Sequence, residues 1–211
     1  IDNIANNTVE SETEHISEIA VESLEAYKER EKRVKEGLSV GIHSGLNKLD
    51  RILNGFQPGT LNIIAARPAM GKTAFMLNIA RKAAKLGHKV FIVSLEMTKV
   101  SLVDRMIIAE SGINSNSYKA GRLNPEEYIS MMQGRENISL LPIEINDTAL
   151  MTVQQIKSQA KKLKRKDKCD IILIDYLQLI DSPYIKDRTK NNEIAEITRT
   201  LKIMSKELDI P

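Results

Sequence analysis

Apolar residues along this chain change their spacing near residue 60. Before that point they recur at helical intervals: Ile16, Ala20, Leu24, Tyr27 and Val34 form one narrow stripe along an otherwise charged stretch. Ser11, with Glu14 three residues later, reads as a capping box, and Gly37 as a stop, which predicts a helix over about 11–36. So narrow a stripe buries too little surface to hold a helix by itself. It must pack on its own domain or on a neighbouring subunit. Gly37, Gly41 and Gly45 mark a linker, followed by a short helix at 46–53 and a turn at 54–59.

Beyond residue 60 strand-like and helix-like segments alternate. Strands are predicted at 61–65, 89–94, 141–145 and 171–175, and helices at 72–86, 98–110, 125–136, 152–166 and about 192–208. Gly87 stops the first of these helices, and Asn124 with Pro125 opens the third. The runs Val90-Phe91-Ile92-Val93 and Ile171-Ile172-Leu173-Ile174 are continuously apolar, as expected of strands covered on both faces. The pattern as a whole predicts an α/β fold with a mostly parallel sheet flanked by helices.

Composition narrows the function classes. The 211 residues suit one large domain with an appendage, divided at about 1–40 and 41–211. The net charge is only +3 and both signs are mixed along the chain, so any basic surface must be local. One cysteine, Cys169, excludes an internal disulfide framework, suits a reducing compartment and reads as a buried, inert thiol. No stretch approaches the ~18 apolar residues of a membrane span, and no signal-peptide pattern opens the chain. The expected location is the cytoplasm. His15, His43 and His88 have no metal-ligand spacing and are expected to face solvent. Met70, Met76, Met97 and Met106 are expected to fill the core.

The chemistry centres on Ala66-Arg67-Pro68-Ala69-Met70-Gly71-Lys72-Thr73, which sits between a predicted strand and a predicted helix. A helix N-terminus there aims free N–H groups and the positive end of its dipole at an anion. In a phosphate-binding loop, Lys72 reaches the terminal phosphates and the Thr73 hydroxyl ligates Mg²⁺. Arg67–Ala74 would line the nucleotide. A second acid must hold the metal and another group must orient the attacking water. Asp175 ends a buried strand at the edge where α/β sheets bind ligands, which suits it to the metal. Glu96 has the same placement after the 90–95 run. It fits a carboxylate that polarises water, and it equally fits a first-turn acid complementing the next helix's dipole.

At these residues the chain resembles the C-terminal motor domain of bacterial replicative DNA helicases of the DnaB type, within the RecA-like ATPases. The matching blocks are Ser44–Asp50, Ile64–Phe75, Ser94-Leu95-Glu96-Met97 and Ile174–Leu179, with Glu193–Arg199 and Lys206-Glu207-Leu208 similar as well. The resemblance spans about 41–211, and the loop version with Pro68 and Met70 is typical of these helicases. It implies a RecA-like P-loop NTPase fold and a homo-hexamer encircling single-stranded DNA, moving 5′→3′ on ATP and Mg²⁺. It makes Lys72 and Thr73 the phosphate and Mg²⁺ ligands, Glu96 the catalytic carboxylate and Asp175 the metal-binding acid of the Walker B strand. The helix at 11–36 resembles the linker helix that docks on an adjacent subunit. Primase and a helicase loader are implied as primosome partners, with no membrane.

Between 181 and 192 the chain has little apolar content and carries Lys186, Arg188 and Lys190. By itself this reads as a solvated loop. In the family it faces the central channel, where such cations meet DNA phosphates independently of sequence. The more basic run Lys161–Lys168 closes a helix and reads as an outer solvated face.

By the same resemblance, a further central strand, an arginine finger and a second DNA loop would follow Pro211. A fragment of a longer polypeptide is therefore expected, with weak or no turnover by itself. Two other readings compete with the helicase: a recombinase-type RecA-like ATPase that does not unwind, and a non-catalytic oligomerising module. Intact Lys72, Thr73, Glu96 and Asp175 argue against the second.

Overall fold

The computed structural model describes residues 13–37, 40–181 and 190–211. The chain forms two compact units, Ile1–Val40 and Gly41–Pro211. In the first, helix α1 runs over Ile16–Lys35 and buries none of its residues. Its cap differs from the expected capping box. Thr13 and Glu14 lie before the helix, and the His15 imidazole accepts the Ser17 N–H instead. An imidazole nitrogen in the N-cap position satisfies the same orphan donor that a hydroxyl would. Ser11 lies outside the described residues.

The second unit is built on a parallel sheet in the order β2-β1-β3, with β1 at Val90–Ser94, β2 at Ile143–Asn146 and β3 at Ile171–Asp175. Every residue of the central strand β1 is buried. Successive side chains of a strand point to opposite faces. Val90 and Ile92 therefore join one core with Ile171, Leu102 and Met106, together with Leu77, Ile79, Ala80 and Ala83 of α3 (Lys72–Lys85). Phe91 and Val93 join the other core, with Val153, Ile156 and Ala160 of α7 (Val153–Lys164) and Ile197, Leu201, Met204 and Leu208 of α8 (Lys190–Leu208). The same alternation in β3 sends Leu173 to the first core and Ile172 and Ile174 to the second. This two-sided burial is what the continuous apolar runs require.

On the first face α4 (Lys99–Ser111) lies against α6 (Pro125–Ser139), where a Cβ on Gly134 would come within 2.9 Å of the Ser111 Cβ. Asn124 and Thr152 each head their helix with a capping box. The five-residue helix α5 (Ser115–Lys119), capped by Asn114, was not expected from the periodicity.

Three further expectations are corrected. Leu61–Ala65 forms no strand, and no strand pairs with it among the described residues. Ile63 and Ile64 are 63% and 46% exposed, so apolarity without a ladder partner leaves the run open. The stretch before α2 (Asn47–Leu53) is not a free linker. Ile42 is buried and forms an antiparallel bridge with Phe56, while Gly41 and Gly55 bring two backbones so close that a Cβ on either would overlap the other. Asp50 then ties down the turn by accepting from the Ser44 N–H, the Ser44 hydroxyl and the Gly45 N–H. Finally, Met70 is 73% exposed, while Met76 and Met106 are buried as expected. The Met70 side chain rides on an exposed loop with no core beneath it.

Cys169 is buried and free, and burial pushes its thiol up to about 12. His15 is exposed as expected, whereas His43 and His88 are half-buried, His43 lying 4.0 Å from Asp50. The basic run at 161–168 is solvated, apart from half-buried Leu163.

Candidate functional site

The loop before α3 has the shape its residues dictate. Ala69 and Gly71 both adopt left-handed backbone, φ 64° and 83°, and Met70 N–H closes a turn onto the Arg67 carbonyl. Gly71 is the N-cap of α3, a conformation open to glycine without steric cost. Lys72 and Thr73 therefore fall in the first turn, beside backbone N–H groups that the helix itself cannot satisfy. The loop residues Arg67, Pro68, Ala69, Met70 and Gly71 are exposed, as is Ala74.

The register of β1 with β3 pairs Ser94 with Asp175 at the strand ends, and Leu95 N–H donates to the Asp175 carbonyl at 2.8 Å. Asp175 is 1% exposed. Its Oδ2 accepts the Thr73 hydroxyl at 2.6 Å, and its Oδ1 stands 3.1 Å from the Lys72 ammonium. That second contact is an ion pair whose angles are poor for a hydrogen bond, so Oδ1 accepts none. The Lys72 ammonium also lies 3.7 Å from the centre of the Tyr176 ring. One charged cluster thus joins the start of α3 to the end of β3.

Glu96 sits at the same end of the sheet, on the turn after β1. The Ser94 hydroxyl pins that turn, donating to the Met97 carbonyl at 2.7 Å and accepting the Met97 N–H. Glu96 is exposed and makes no hydrogen bond or ion pair with Lys72, Thr73 or Asp175. The structure thus brings three of the four expected groups into contact and leaves the fourth on the same rim. Two contributors escaped the sequence reading. Ser94 had a signal, a polar residue ending an apolar strand. Tyr176 had only its place in the block Ile174–Leu179.

The donor set fits a hard divalent cation such as Mg²⁺. It offers a hydroxyl, a buried carboxylate and one carboxylate oxygen without a hydrogen bond, all oxygen ligands. Among the described residues no group of three or more His, Cys, Asp or Glu could by itself hold a metal ion. Mg²⁺ commonly keeps waters and takes few protein ligands, so this donor set is sufficient.

The family described as "DnaB-like helicase C terminal domain" matches residues 41–211. The chain belongs to that family. It is 40% identical over 178 residues to the replicative DNA helicase DnaB of Geobacillus stearothermophilus, covering 84% of this chain and 39% of that protein. With its counterpart from Nostoc it shares 36% over 201 residues, covering 93% of this chain and 22% of that protein. The DnaB-like chain thus spans about two fifths or less of these curated relatives. Among solved structures, one described as an ATPase domain superposes with a TM-score of 0.85 at 35% identity, over 94% of this chain and 69% of that one. A DnaB-like replicative helicase described with its interactions with primase superposes with a TM-score of 0.81 at 35% identity, over 94% of this chain and 47% of that one. The RecA-like ATPase architecture expected from the resemblance follows from these likenesses.

Among the described residues no helix is long and apolar enough to cross a membrane. Of the cations expected to meet DNA, Lys190 opens α8 and is exposed. Lys186 and Arg188 lie outside the described residues.

Proposed function

We propose that this DnaB-like domain is the ATP-hydrolysing motor of a replicative DNA helicase. The observation that carries the reading is the meeting of Lys72, Thr73 and Asp175 at one helix start and one strand end. In this reading the loop Arg67–Ala74 cradles the phosphates of ATP, and Lys72 balances their charge. Thr73 and Asp175 would hold Mg²⁺, which would supply positive charge against the phosphates. Glu96 orients and polarises the water that attacks the γ-phosphorus, as the bond to the ADP oxygen breaks. The fixed turn at Ser94 keeps the carboxylate at the rim of the cluster.

The family resemblance supplies the remaining assignments. Lys186, Arg188 and Lys190 contact the phosphates of single-stranded DNA. Six copies form a ring, with α1 docked on the adjacent subunit. Its exposed Ile16, Leu24, Tyr27 and Val34 provide an apolar stripe for that contact. The whole protein works in the cytoplasm with primase and a loader and moves 5′→3′.

The test is Glu96→Gln in the full-length protein. Nucleotide binding should persist while hydrolysis falls by about 10²–10⁴-fold, the range of a lost general base. Unwinding of forked DNA should stop with it. Hydrolysis at the parental rate overturns the role of Glu96. Hydrolysis by the unsubstituted protein without strand displacement favours the recombinase-type reading.

A further inference from the structure

We propose that Tyr176 is a positioning residue for nucleotide binding: its ring face holds the Lys72 ammonium at the mouth of the phosphate loop, ready for a polyphosphate. The inference rests on the nucleotide reading given above and adds a residue to it.

Tyr176 follows Asp175 directly, so the end of β3 presents a carboxylate and an aromatic face to the same cation. At 3.7 Å from ring centre to ammonium, the separation is well inside the cation–π range. A lysine stem free to rotate has much rotamer freedom to lose when it grips a ligand. Here two contacts already fix the ammonium. The ring contributes its attraction without a competing negative charge, and so it confines Lys72 while leaving the ammonium free to pair with phosphate oxygens. Preorganisation of this kind raises affinity by lowering the ordering cost at the moment of binding. The half-buried ring is tethered to the strand end and cannot follow the lysine outward.

Two measurements on the full-length protein test this. The first needs no ligand. In a spectrum with labelled lysine, the Lys72 Cε protons should be shifted upfield by the ring in the parent and in Tyr176→Phe, and should return to ordinary values in Tyr176→Leu. Unshifted protons in the parent overturn the proposal. The second is the affinity for Mg²⁺-ATP. Tyr176→Leu should weaken it by about three- to tenfold, the scale of a cation–π contact. Tyr176→Phe should restore it to within about twofold, since the ring face and not the hydroxyl does the holding. In a Lys72→Ala background the same Tyr176→Leu change should have no effect. A general packing role would weaken binding equally with and without Lys72, and that result overturns the proposal. Parental affinity in Tyr176→Leu overturns it too and leaves the nucleotide reading standing. Failure of the parent chain to bind Mg²⁺-ATP overturns both.

Discussion

The Thr73 hydroxyl donates to Asp175 Oδ2 at 2.6 Å, joining the first turn of α3 to the last residue of β3 across 102 residues of chain. This bond and the Lys72 ion pair give the buried carboxylate the partners a desolvated charge requires. Thr73 and Asp175 are also the oxygen donors proposed for Mg²⁺. Thr73→Ala should therefore lower the Mg²⁺-dependent part of ATP affinity by about tenfold or more, the scale of one hydrogen bond to a charged group. Calorimetry with Mg²⁺ and with EDTA checks this. Thr73→Ser should keep the effect of the metal, and an unaltered Mg²⁺ response in Thr73→Ala would remove Thr73 from the site.

A second charged cluster governs stability rather than the site. Glu110 of α4 takes Arg81 and Lys85 of α3, the latter at 2.7 and 2.8 Å. The Lys85 hydrogen bond holds its carboxyl below the ordinary 4.5, with Arg81 adding to it and burial opposing. A depressed carboxyl pKa stabilises the fold above the unfolded-state value, and that contribution disappears as pH falls through the folded-state value. Glu110→Gln should cost about 1–3 kcal/mol at pH 7. Its denaturation midpoint should converge with the parent's in acid, below the ordinary carboxyl value. A pH-independent difference would point to packing instead of charge.

The DNA assignment predicts a salt signature. Replacing Lys186, Arg188 and Lys190 with Ala should weaken single-stranded DNA binding by the full-length protein without regard to sequence. The slope of log K against log salt should fall by about 0.7 for each phosphate no longer neutralised, so by about 2 for all three. An unchanged slope would place the DNA path elsewhere.

Periodicity and residue type carried most of the sheet and of the site. The run Ile171–Ile174 ends in a carboxylate because the strand must stop at a polar edge, and Asp175 is found there, buried and paired. Lys72 and Thr73 were readable because Gly71 fixes the turn that begins α3. What failed was whatever depends on distant partners. The apolarity of Leu61–Ala65 does not supply a neighbour to pair with, and residues 62–65 lie exposed. Ile42 looked like part of a linker because its partner Phe56 lies beyond the intervening helix. His15 caps α1 through its ring nitrogen, which accepts the Ser17 N–H, a role that periodicity does not signal. Tyr176 escaped because an aromatic next to an acid has no pattern until the lysine from α3 is seen over its ring.

The most direct measurement is the affinity of the 211-residue chain for Mg²⁺-ATP, in the parent and in Lys72→Ala, with circular dichroism confirming that both are folded. Binding by the parent, weakened at least about tenfold by loss of the ammonium, is the predicted result. Equal affinity in the two chains would contradict the assignment of this cluster to the phosphates.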